Sequence, residues 1–169
     1  MEQLKNINSR AYLQWWGFAF ISLAVIIGYA PCVKHLVRAD SIAYFNRVAP
    51  QKGFYDLVIS DYDFNRRPAQ LDFENERGLF RPLLYAFLGL EKYFFGYHFY
   101  AWHLTGIVLQ LLVVFWFLKI CLEFYAGAPA ILAAFLFALF YPNMEMVIWE
   151  NITAYLLAVF LLLVAIYHT

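Results

Sequence analysis

A carboxylate at position 40, a guanidinium at 81, an imidazole at 103 and a second carboxylate at 145 are the side chains of this sequence best suited to chemistry at the edge of an apolar medium. Asp40 can take a proton from an attacking hydroxyl once the two are within hydrogen-bond reach. Arg81 stays charged in a low dielectric and grips phosphate through two parallel N–H donors. His103 can hold phosphate or pass a proton. Glu145, just past Pro142, can face the same pocket as Asp40 if their two loops share a side. Asp61 and Asp63 offer hard oxygen ligands to a divalent cation, Mg²⁺ or Mn²⁺. All of these but Glu145 have a plainer alternative. Asp40 can be solvated or paired with Arg38, Arg81 can snorkel to lipid headgroups, His103 can hold a local interfacial hydrogen bond, and Asp61 and Asp63 can belong to a solvated acidic loop. Glu150 suits the amino end of a helix, where the dipole favours a carboxylate. Asn151-Ile152-Thr153 matches the glycosylation acceptor pattern, although so close to an apolar stretch that use as an acceptor is not expected.

The elements that must position these groups follow from the distribution of charge. Nine of the twelve Lys and Arg and eight of the twelve Asp and Glu fall between Lys34 and Lys92. Such a segment, tethered at both ends to apolar stretches, belongs at a water interface. On either side lie runs long enough to be helices in hydrocarbon. The expected fold class is all-α, a polytopic transmembrane bundle of about four spans in one membrane domain, 1–169. Span 1 covers 12–32, a polar loop with interfacial helices covers 33–96, and spans 2, 3 and 4 cover 98–119, 128–142 and 150–168. Trp15 and Trp16 anchor the first span, which is too long for the core of a cleaved leader. Val33 to Phe45 mixes charged and apolar residues as an interfacial helix does. Pro82 suits the first turn of a half-sunk helix closed by Gly96, and Pro142 with Asn143 stops the third span.

Composition excludes several classes. A chain that is 64% hydrophobic, 21% aromatic and only 14% charged departs far from a soluble domain, and its expected surroundings are a lipid bilayer. Net charge is zero, with no basic run, so no nucleic-acid partner is expected. Cys32 and Cys121 fall toward opposite faces in this topology, beyond the reach of a disulfide. A small transporter is disfavoured, because the charges cluster at the edges of the spans instead of inside them.

Several motifs in order resemble the amino-terminal part of GT-C class glycosyltransferases, closest to the protein O-mannosyltransferases of glycosyltransferase family 39. They are the acid after the first span in Arg38-Ala39-Asp40-Ser41, Phe80-Arg81-Pro82-Leu83-Leu84, Gly96 followed by Tyr100-Ala101-Trp102-His103-Leu104, and Phe137-Ala138-Leu139-Phe140-Tyr141-Pro142 with Glu145 and Trp149. The resemblance implies sugar transfer from a polyprenyl-phosphate donor to an extracytoplasmic acceptor. Asp40 and Glu145 would be catalytic, with Asp40 as general base or as part of a divalent-cation site, and Arg81 and His103 would bind the donor phosphate. It also implies a cytoplasmic amino terminus, an extracytoplasmic 33–96 loop and a bacterial cell membrane. The chain departs from the pattern at Ala39, where many relatives carry a second acid, and at Gly106, where many carry Asn. Members of the class have many more spans, so the expectation is a front portion of an enzyme or a small relative. The alternative is a non-catalytic accessory or truncated subunit that binds lipid or a partner protein.

Overall fold

Proline and glycine set the boundaries of the helices, and the apolar runs fill them. The computed structural model describes residues 2–34, 53–55, 82–125, 127–148 and 153–169. Among these, the elements are α1 (Glu2–Tyr29), a 3-10 turn (Ala30–Lys34), α2 (Pro82–Phe95), α3 (Phe99–Phe124), α4 (Ala128–Ala138), α5 (Tyr141–Ile148) and α6 (Thr153–His168). No strand occurs among the described residues. The helix of the first apolar run starts well before Tyr12, because nothing from Glu2 onward breaks it. Pro82 opens α2, where a missing N–H costs nothing. Gly96 ends it at φ +58°, a conformation other residues rarely adopt, and its N–H returns to the Lys92 carbonyl at 2.9 Å.

α3 is the hub. It packs against α1, α2, α4, α5 and α6, and its buried residues, from Trp102 and His103 to Cys121, recur at helical spacing on two adjoining stripes. α1 presents a single narrower stripe, with Ile21, Val25 and Tyr29 buried at every fourth position. On α4 the matching stripe is Ala130, Ala134 and Ala138, all fully buried. Small residues at every fourth position let helix backbones approach closely.

Side-chain contacts give the direction of each helix. Gly17 and Phe18 of α1 sit beside Leu118 and Phe115 of α3, whereas Tyr29 and Gln110 reach the same carbonyl at the other end, so α1 and α3 are antiparallel. Gly17 meets Ile131 and Gly28 meets Leu139, so α4 runs with α1. Gly106 faces Thr153 and Trp116 faces Tyr167, so α6 runs with α3. The carboxyl end of α1, the amino ends of α3 and α6, and the carboxyl end of α4 therefore share one end of the bundle. At the opposite end Lys119 lies 4.0 Å from the Tyr167 ring centroid and 4.4 Å from that of Trp116. An ammonium held over aromatic faces is favoured by the ring quadrupole.

Two helices, Tyr12–Lys34 and Phe99–Phe124, are long and apolar enough to cross a bilayer. α4 and α6 are apolar but shorter. At 1.5 Å per residue, the 11 residues of α4 rise about 16 Å, roughly half of a ~30 Å hydrocarbon core. Within the third expected stretch, 128–142, the helix α4 ends at Ala138. Pro142 is the reason. In a continuous helix its nitrogen would face the Ala138 carbonyl four residues back with no hydrogen to donate, and its ring would collide with that oxygen. The chain turns at Leu139 and begins α5 at Tyr141 instead.

Of the expected interfacial helix Val33–Phe45, Val33 and Lys34 belong to the 3-10 turn. Its remainder, and most of the 33–96 loop, lie outside the described residues. Cys32 and Cys121 are near opposite ends of the bundle and no disulfide joins them.

Candidate functional site

Breaking α4 leaves its last carbonyls without ladder partners, and a buried carbonyl without a donor is costly. The Ala138 oxygen receives two side-chain donors from other helices, the Tyr29 hydroxyl at 2.8 Å and the Gln110 Nε2 at 3.2 Å. The Phe137 oxygen receives the Phe140 N–H at 3.2 Å and the Asn143 amide. At the other end of α5, the Thr153 hydroxyl donates to the Met146 oxygen at 3.1 Å. These polar side chains hold α5 across one end of the bundle.

The last turn of α5 lies directly on α3 at Gly106. A Cβ placed there would meet the Val147 carbonyl oxygen at 2.8 Å and the Thr153 Cγ2 at 3.6 Å. Only glycine leaves room for that backbone. A side chain as large as that of Asn would not fit beneath α5 in this packing.

Among the described residues, the buried polar and charged side chains lie toward this end. Tyr29, His103, Gln110, Asn143 and Thr153 are each no more than 5% exposed. Glu91, only 3% exposed, lies little more than one turn before Gly96 and hence near the start of α3. A carboxyl or imidazole taken out of water is expensive unless something nearby compensates, so this concentration distinguishes the end from the aromatic one. Of the residues predicted to do chemistry, His103 lies on α3, fully buried, and Glu145 lies half-buried on α5, which packs against α3. The fold brings these two to one end. Asp40, Asp61, Asp63, Arg81 and Glu150 lie outside the described residues. Among the described residues no three His, Cys, Asp or Glu side chains converge as metal ligands would.

Tyr29, Gln110 and Glu91 carry no role in the sequence reading, and Asn143 enters it only as a helix stop. Gln110 offered the plainest signal, a lone amide within an apolar helix, where polar side chains ordinarily face protein instead of lipid. Asn143 directly after Pro142 offered another, because Asn readily bonds nearby backbone at a turn.

The class these features define, among the described residues, is an all-α bundle with its buried polar side chains toward one end, where a short crossing helix is tied down. No family model, no curated protein and no solved structure matches the chain.

Proposed function

We propose that this chain is a membrane glycosyltransferase of the GT-C type, or the amino-terminal portion of one, that moves a sugar from a polyprenyl-phosphate donor to an extracytoplasmic acceptor. The observation that carries the proposal is the shared end of the bundle. The chain leaves α1 through Lys34 there, and the same end holds α5 with Glu145 and the start of α3 with His103. Asp40 follows Lys34 by six residues and Arg81 directly precedes Pro82. A cytoplasmic amino terminus places this end outside the cell, in a bacterial cell membrane. α1 and α3 are two spans, and α4 and α6 with their flanks complete four. Exposed Trp16, Phe20, Ile27, Leu136 and Leu162 suit contact with hydrocarbon.

In the proposed reaction an acceptor hydroxyl attacks the anomeric carbon. The new carbon–oxygen bond forms as the bond to phosphate breaks, polyprenyl phosphate leaves with the electron pair, and Asp40 takes the hydroxyl proton. Arg81 and His103 offset the phosphate charge, and Glu145 lines the same pocket. A divalent cation held by Asp61 and Asp63 would add charge neutralisation when bound.

Purified protein in liposomes, given a radiolabelled polyprenyl-phosphate sugar and a hydroxylated acceptor peptide, is expected to release polyprenyl phosphate and label the peptide. Lipid-linked sugar that binds and is never consumed would instead favour the accessory-subunit reading. That alternative draws support from His103, whose 2% exposure suits an imidazole built into the packing.

Topology has its own test. Ser60→Cys is expected to react with a membrane-impermeant thiol reagent on intact cells, against a low background because Cys32 and Cys121 are buried. Labelling only after permeabilisation would invert the orientation and put the polar end in the cytoplasm.

A further inference from the structure

We propose that Tyr29 and Gln110 form a latch that fixes the α4–α5 elbow by holding the Ala138 carbonyl, and that this latch sets the position of α5 and of Glu145 upon it. Glu145 matters to catalysis only if the transferase reading holds. The latch is a property of the fold, and its test reads the backbone instead of sugar transfer.

The physical case starts from Pro142. Because it has no N–H, α4 cannot satisfy its own Ala138 carbonyl through that position, so the oxygen needs donors from elsewhere. Both donors found come from outside the elbow, one on α1 and one on α3, the helices on which α4 rests. The elbow is therefore pinned to the two longest helices through one atom. α5 itself has only eight residues, too few to be stable unaided. Among the described residues it is also anchored by the Asn143 bond to Phe137, the Thr153 bond to Met146 and the seat on Gly106. The Thr153 and Gly106 anchors act on the carboxyl half of α5, so the carbonyl latch and the Asn143 bond to Phe137 together hold the amino half.

The two donors are not equivalent. Tyr29 uses its hydroxyl alone and presents a ring that Phe reproduces. Gln110 donates through Nε2, while its buried Oε1 has no hydrogen-bond partner among the described residues. Removing the amide relieves that oxygen as well as breaking the bond, so the two effects partly cancel.

Hydrogen–deuterium exchange on the full chain in lipid nanodiscs tests the latch. Tyr29→Phe is expected to speed exchange of the amides between Leu139 and Ile148 about tenfold, with α6 unchanged, because losing a buried hydrogen bond lowers the local opening free energy. The near-isosteric Gln110→Met should give the same local signature, smaller, at about two- to threefold. In a Pro142→Ala background the chain regains an N–H for the Ala138 carbonyl, and the effect of Tyr29→Phe should fall below about twofold. Unchanged exchange at the elbow in Tyr29→Phe would overturn the latch. So would acceleration spread evenly over every helix, or an undiminished effect in the Pro142→Ala background, since each would make the tyrosine a packing residue only. Absence of sugar transfer in any of these proteins would leave the exchange result standing and count only against the transferase proposal.

Discussion

Asp40→Asn is expected to cut sugar transfer at least about a hundredfold while membrane insertion and fold stay as they were. A positioned general base contributes roughly 10²–10⁴ in rate, and an amide of nearly the same size cannot accept the proton. The substitution removes one negative charge and no volume, so it separates chemistry from packing. Initial rates should be measured in liposomes at saturating lipid-linked sugar, with donor binding followed in parallel. The expected pattern is a fall in kcat with donor affinity unchanged or slightly improved, since a carboxylate near the donor phosphate repels it. Full activity would remove Asp40 from the mechanism. A loss confined to KM would reassign it to binding.

What the sequence disclosed about this fold was mainly local. Pro82 and Gly96 bound α2 because one lacks an N–H and the other tolerates φ +58°, properties that depend on no distant neighbour. The apolar runs around Val25 and Val113 disclosed α1 and α3 by length and composition alone. The end of the α4 helix is hard to read locally because the effect of Pro142 acts four positions upstream, on Ala138. The couplings across the bundle were hidden for a different reason. Nothing near Tyr29 indicates that its hydroxyl will meet the Ala138 carbonyl, and nothing near Gly106 indicates that Val147 will press on it. Both depend on how helices remote in sequence are paired, which periodicity does not encode. The candidate site divides the same way. His103 and Glu145 come to one end because successive helices alternate in direction, while Asp40 and Arg81 rest on residue chemistry and on the resemblance.

Gly106→Val is expected to lower stability by about 2–4 kcal/mol, more than the same replacement at Gly17 or Gly28, where a Cβ would meet only side-chain atoms. The obstruction is backbone. A Cβ at this position would sit 2.8 Å from the Val147 oxygen and 3.5 Å from its Cα, and neither can rotate away as a side-chain tip would. Accommodating valine means lifting the last turn of α5 off α3, with loss of the Thr153 to Met146 bond behind it. Gly106→Ala meets the same contact but gains helix propensity of up to about 1 kcal/mol, so its net loss should be smaller, near 1 kcal/mol. Gly28→Ala is the control, because its nearest neighbour, Leu139 Cδ2, lies at an ordinary 3.8 Å. That variant should be neutral or slightly stabilising. Thermal unfolding in one detergent, followed by circular dichroism, would rank the three variants as valine at 106, alanine at 106, then alanine at 28, from least to most stable. If valine at 106 unfolds with the wild type, α5 does not rest on α3 at this glycine, and the crossing helix that carries Glu145 must be seated elsewhere.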